Sequence, residues 1–407
     1  DFSRTEFDKA IKLNEVKQQA EFKSKYNLVM LEDVAKIFKG VNFDKNQQTQ
    51  EKTNNVVLTS DNVTLDGKFE LTKQIYISNK TAFDASKKLK KDDCFICFSS
   101  GSRNHVGKVA YITKDTDYYA GGFMGILRSD RTKMHPRFLY EILNSPYFRE
   151  IIKKTATGTN ILNLSNSIAK LKLPLPPLEV QKHIVEDCQK IDEEYENAKN
   201  TIENCKQKIE SIMQNVQGVQ KKLGEICKDI RDGSHNPPKG IAFSEFKMYS
   251  AKNIYDNELH LETDFRYLSE ANFNLENKRT NVRIGDVLLT IVASIGRSCV
   301  VKTHEKITFQ RSVAILTPNK NEIESLYLSY YLNSIEKYLN NIAHGTTQKG
   351  VYLNQLKKID IPVPSIIEQA SIITQIEKLE VEINKAKQII SSISERKKAV
   401  IKKYLYE

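Results

Sequence analysis

At 407 residues the chain is long enough for two or three domains with cores of their own. Its 62 Lys and Arg against 51 Asp and Glu leave a net charge of +11, which favours an acidic partner, most often nucleic acid. No apolar run is long enough to cross a membrane as a helix and no signal peptide is visible, while an opening Asp1 rather than Met leaves an upstream segment open.

In chain order, Phe7, Ile11 and Val16 give residues 1–26 a partial apolar face, which predicts an N-terminal helical arm. Residues 27–172 mix strand and helix signals and predict a globular domain. Segments 74–77, 94–98, 108–113 and 125–127 read as strands, and 136–154 as one helix. Cys94 and Cys97 form a CxxC, but the apolar run around them lacks a second pair and reads as a buried strand rather than a zinc site. Pro174, Pro176 and Pro177 cannot lie inside a helix, so they mark a boundary. Beyond it Ile184, Cys188, Ile191, Tyr195, Ala198, Ile202, Cys205, Ile209, Ile212 and Val216 recur in alternating steps of four and three. That is a coiled-coil seam, and about forty residues of helix make a rod of roughly 60 Å over 173–217.

A second globular domain is expected over 218–360, and a second long helix over 361–407. Its seam holds Ile372, Ile376, Leu379, Ile383 and Ile390, and Ile372 lies 188 residues after Ile184. Pro362, Pro364 and Gln369 repeat Pro174, Pro176 and Gln181 at the same offset, so the chain is an internal duplication. Each seam needs a partner. With a globular domain between the helices, the simplest closed pairing is antiparallel. The expected fold is therefore α+β: two similar α/β domains separated by two long antiparallel coiled-coil helices, with pseudo-twofold symmetry.

Catalytic patterns are missing. The seven histidines form neither HxH nor HExxH, and there is no phosphate-binding GxxxxGK[ST], no dinucleotide GxGxxG after a strand and no GxSxG. Asn236-Pro237-Pro238 is followed by Lys239, where amino-methyltransferases place an aromatic residue to stack on the flipped base. The sequence reading is thus of a chain without catalytic or metal residues.

Three kinds of string resemble the specificity (S) subunits of type I restriction–modification systems: the two proline segments 172–181 and 361–369, Asp232-Gly233-Ser234-His235-Asn236-Pro237-Pro238, and Gly285-Asp286-Val287-Leu288-Leu289 with Ile295-Gly296. The first half departs from the pattern, with Lys39-Gly40-Val41-Asn42 in place of the DGSH string. The resemblance implies two target recognition domains that read an asymmetric bipartite DNA site at a spacing set by the coiled coil. It implies partners: double-stranded DNA, two adenine-N6 methyltransferase subunits and restriction or translocase subunits. S-adenosylmethionine, Mg and ATP would bind only in those partners, in the cytoplasm of a bacterium or archaeon. The other reading is the C-terminal recognition region of a single-chain restriction–methyltransferase.

On this reading the DNA contacts come from polar loops. Arg suits guanine and Asn suits adenine, while Lys and backbone groups suit phosphate. The candidates are Ser102, Arg103, Asn104 and His105; Thr159 and Asn160; Ser234, His235, Asn236 and Lys239; Arg297, taken as the counterpart of the 99–105 loop; Arg311; and Thr346, Thr347, Gln348 and Lys349.

Overall fold

The protein is described by a computed structural model covering residues 23–102, 104–157, 161–345 and 349–406, so the arm expected over 1–26 lies almost wholly outside the described residues. Unit one comprises Asp1–Ala198 with Gln388–Glu407, and unit two comprises Lys199–Lys387.

Unit one opens with β1 (Leu28–Met30), β2 (Ala35–Lys39), β3 (Asn55–Leu58), β4 (Ile75–Ile77) and β5 (Cys94–Cys97). It continues with β6 (Ser99–Ser100), β7 (Val109–Tyr111), β8 (Tyr118–Ala120) and β9 (Met124–Ser129). Helices α1 (Pro136–Asn144) and α2 (Pro146–Thr155), strands β10 (Leu162–Asn163) and β11 (Lys172–Pro174), and the start of α3 (Leu178–Gln214) complete it. The main sheet has the order β2-β9-β5-β7, antiparallel throughout.

Strand β5 shows why this sheet sits at the centre. Cys94 and Ile96 enter a core with Phe138, Leu139 and Ile142 of α1, whereas Phe95 and Cys97 enter one with Leu58 and Ala120 of a second sheet. Side chains alternate between faces along a strand, and here both faces are covered, so every residue of the run is apolar. Both thiols are free and buried, and burial pushes that of Cys97 up to about 11. The second sheet places β4 beside β3 and β3 parallel to β8.

The single helix expected over 136–154 is two helices. Pro146 has no N–H to continue α1, and Ser145 serves as the joint: its hydroxyl donates to Ile142 O (2.7 Å) and accepts from Phe148 N (3.3 Å).

Unit two repeats the plan with β12 (Val219–Lys222), β13 (Cys227–Asp232), β14 (Lys247–Tyr249), β15 (Arg266–Tyr267) and α4 (Glu270–Thr280). Then come β16 (Val287–Thr290), β17 (Ser298–Val300), β18 (Ile307–Phe309), β19 (Val313–Pro318), α5 (Ser325–Ser334), α6 (Glu336–Ile342), β20 (Asp360–Val363) and α7 (Ile366–Leu405). Its main sheet runs β13-β19-β16-β17, again all antiparallel, and β14 pairs parallel with β18. The short pair β1–β11 recurs as β12–β20.

Helices α3 and α7 contain 37 and 40 residues, or about 55 and 60 Å. Within unit one the start of α3 runs against the end of α7: Asp187 accepts from Tyr404 Oη (3.0 Å) and Glu194 takes a bidentate pair from Arg396 (2.6 and 2.8 Å). Rising numbers on one helix meet falling numbers on the other, so the pairing is antiparallel. Within unit two the Cys205 thiol donates to Glu382 (3.4 Å) in the same sense. Ile184, Cys188, Ile191, Ile376 and Ile383 of the seam are buried, and Ile202, Ile209, Ile372, Leu379 and Ile390 are half-buried. No helix of the described residues is long and apolar enough to cross a membrane.

Candidate nucleic-acid interface

In each unit the main sheet collects loops at one end. In unit two Asp232 of β13 lies opposite Ala314, and Thr290 of β16 opposite Val313, so the segments after β13 and β16 meet the one before β19. Ser234 N donates to Phe309 O (2.8 Å) and Arg311 N to Ser234 O (2.8 Å), which locks the 233–236 turn against the 310–312 turn.

Local bonds then hold the exposed side chains. Asp232 is largely buried; it accepts from His235 Nε2 (2.7 Å) and pairs with Arg279. Arg266 donates to the carbonyls of Pro237 and Pro238, which braces the loop carrying Asn236 and Lys239. Asn236, Lys239, Arg311 and Lys349 are exposed. The described residues give Lys239, Arg311 and Lys349 no acidic side-chain partner, so their charge is available to a polyanion.

The other candidate loops are also brought together in pairs. In unit one β6 pairs with β10, setting Ser99 and Ser100 beside Asn163 and Leu162, and Thr157 bridges to Asn163. In unit two Val292 and His344 both bridge to Gly350, which brings the two loops together at that residue. Ser102 and Asn104 are exposed, His105 is half-buried, and Arg149 donates to Asn104 O (3.4 Å). Arg103, Thr159, Asn160, Thr346, Thr347 and Gln348 lie outside the described residues.

The position assigned to Arg297 needs correction. Gly107 N donates to Cys97 O, as Gly296 N does to Thr290 O, and Cys97 N to Lys108 O as Thr290 N does to Arg297 O. Arg297 is therefore the counterpart of Lys108, not of a residue in the 99–105 loop. Nine residues lie between the unit-one anchors and five between those of unit two, which defeats matching by letters. Lys108 is buried, and burial lowers its pKa; Arg297 is exposed and lines a cleft with Tyr330, Glu336 and Lys337.

The Asp of the GDVLL string has a structural task. Asp286 pairs with Arg231 (2.8 Å) and accepts from Thr317 (2.7 Å), and in unit one the buried Asp93 takes a bidentate pair from Arg128 (2.7 and 2.8 Å). Among the described residues no group of three His, Cys, Asp or Glu side chains is placed to hold a metal.

Sequence reasoning passed over Asn42 and Phe123. Asn42 is exposed, Phe123 is 65% exposed, and both line a cavity of about 540 Å³ at the loop end of unit one. The only signal for Asn42 was the glycine shared by Lys39-Gly40-Val41-Asn42 and Asp232-Gly233-Ser234-His235.

The sequence model of the type I restriction modification DNA specificity domain matches this chain twice, over residues 23–205 and 216–394. The chain is 24% identical over 382 residues to the EcoKI specificity subunit of Escherichia coli K12, a match spanning 85% of this chain and 80% of that one. The S subunit of the type I restriction–modification system of M. genitalium has a like fold, with a TM-score of 0.52 at 16% identity over 95% of this chain and 97% of that one. A chain solved in the context of complex assembly and conformational transition of the type I system scores 0.60 at 18% identity, over 94% and 98%. With both halves matched and the same double-sheet unit built twice, the chain belongs to the type I restriction–modification DNA specificity subunits, the non-catalytic members of those systems.

Proposed function

We propose that each unit reads one half of an asymmetric, interrupted site in double-stranded DNA, and that the paired long helices fix the gap between the halves. The chain then presents that DNA to two methyltransferase subunits for adenine-N6 methylation, and to restriction subunits, in the cytoplasm of a bacterium or archaeon. S-adenosylmethionine, Mg and ATP belong to those partners, as does base flipping.

One observation carries this reading: a chain whose halves both match a DNA specificity domain gathers polar loops at the same end of the same sheet in each unit. The two loop sets differ in sequence, so the half-sites differ. Half-sites read from one side of a duplex lie about 34–36 Å apart, a distance that helices of 37 and 40 residues can span. The matched relative is itself a separate subunit, which favours this reading over the recognition region of a single-chain enzyme.

The test is methylation sequencing of DNA exposed to this chain together with the methyltransferase of its own system. The expected motif is two unlike short half-sites around a fixed unspecified gap. Methylation without sequence preference would defeat the proposal.

A further inference from the structure

The two units carry different chemistry at one equivalent position of their loop ends. Lys39 lies opposite Gly125 in unit one as Asp232 lies opposite Ala314 in unit two. Val41 N donates to Ala120 O (2.7 Å) as Ser234 N does to Phe309 O (2.8 Å), and Met124 N donates to Gly121 O (2.7 Å) as Val313 N does to Gln310 O (3.1 Å). The glycines complete the match. A Cβ on Gly40 would stand 1.9 Å from Gly121 O, and one on Gly233 would stand 2.2 Å from Gln310 O. The turn of Gly121, Gly122 and Phe123 is therefore the structural counterpart of Gln310, Arg311 and Ser312, and Asn42 is the counterpart of His235.

In unit two this position presents an exposed guanidinium, that of Arg311, with no acidic partner among the described residues. In unit one it presents an exposed aromatic ring and a neutral amide. A Cβ on Gly122 would come 2.2 Å from Asn42 Oδ1, so the missing side chain is what gives the amide its room. Among the described residues, no charged side chain lines the cavity that Asn42 and Phe123 share with Thr59, Ser60, Ser99 and Ser100.

Base edges in the major groove distinguish these two chemistries. Guanine offers two acceptors to an Arg fork; adenine offers a donor and an acceptor to an Asn amide, and thymine offers a methyl to an apolar surface. Resting on the specificity reading above, we infer that Arg311 reads a guanine in the half-site of unit two, and that Asn42 and Phe123 read an A·T pair at the equivalent place in the half-site of unit one.

The experiment uses the full chain with its methyltransferase subunits on a library of random-sequence duplexes, scored by sequencing the methylated motif. Arg311→Ala should lower the preference for guanine at one position of one half-site by about 5- to 150-fold, leaving the other half-site untouched. Asn42→Ala with Phe123→Ala should relax one A·T position in the other half-site only; both side chains are exposed, so folding is spared. An Arg311 variant that methylates all sites more weakly with its motif unchanged would mark a phosphate contact and overturn the assignment. So would a motif that keeps its A·T pair in the double variant. A wild-type complex with no motif at all would instead bring down the specificity reading itself.

Discussion

Gln181 and Gln369 make the same three hydrogen bonds at the roots of the two long helices. Gln181 Oε1 accepts from His135 N (2.7 Å), and its Nε2 donates to Lys133 O (3.0 Å) and Pro176 O (2.8 Å). Gln369 Oε1 accepts from Glu324 N (2.8 Å), and its Nε2 donates to Glu322 O (2.9 Å) and Pro364 O (3.0 Å). Both side chains are fully buried, so each amide fastens the first turn of a long helix to the loop that starts a helix of its own unit. Truncation to Ala strands one N–H and two carbonyls, and should cost about 1–3 kcal/mol at each site. Hydrogen exchange should show Gln181→Ala loosening unit one alone and Gln369→Ala unit two alone. Loosening of both units by either variant would mean that the clamps are not local.

A second prediction concerns a buried ion cluster in unit one. Arg137 pairs with Glu141 (2.8 Å) and Asp192 (2.7 Å), and Lys397 reaches Glu141 (3.0 Å) and Asp192 (2.7 Å). Glu141 is 1% exposed, so removing one cation leaves its carboxylate buried with too little compensation. Lys397→Met should cost about 3–5 kcal/mol in denaturant unfolding of unit one. In unit two Tyr330 instead donates to Glu380 (2.7 Å), and Tyr330→Phe should cost far less.

That cluster also sets an alkaline limit. Burial works against the charged Lys397, but Glu141 and Asp192 outweigh it and hold its pKa above the ordinary lysine value. The stabilisation is complete below about 10.4, the unfolded value, and is lost as pH rises through the folded one. Wild-type unit one should therefore weaken above that pH, and the Lys397→Met variant should show a flatter profile. Equal slopes would show that another group titrates.

Gly40 and Gly233 supply a third test. Each abuts a backbone carbonyl where any Cβ must collide, so Gly40→Ala and Gly233→Ala should each cost about 1–3 kcal/mol by overpacking. Because the turn that moves carries the candidate loops, Gly233→Ala should blur one half-site and Gly40→Ala the other. A methylated motif unchanged in both variants would place the reading surface elsewhere.

The duplication was legible because the proline, glutamine and seam positions recur at one offset, each under a packing constraint that admits few residue types. Ile184 and Ile372 had to be apolar, and Gln181 and Gln369 had to satisfy the same three backbone groups. The loop ends were less legible because no packing constraint preserves their letters. Gly122 and Arg311 share a backbone position and nothing else, and the segments leading to them differ in length. The break at Ser145 was readable from Pro146, but the apolar period runs through it and hid it. Arg297 lies just past the loop it was placed in, as Lys108 does, and only the bonds of Gly107 and Gly296 reveal that register.

The proposed spacing role of the long helices can be tested without touching either head. Deleting residues 195–201 together with 388–394 removes one heptad from each helix at levels that face each other, as the Glu194–Arg396 pair indicates. Seven residues are close to two helical turns, so the seam continues in phase with a residual rotation of about 20°. The spacer shortens by about 10 Å, or roughly three base pairs at 3.4 Å each. The expected outcome is a methylated motif with both half-sites intact and a gap shorter by about three. Removing two residues from α3 alone should abolish methylation, because a rotation of about 200° turns one seam away from the other. A shortened chain whose half-sites changed while the gap stayed fixed would show that the helices do not measure the site.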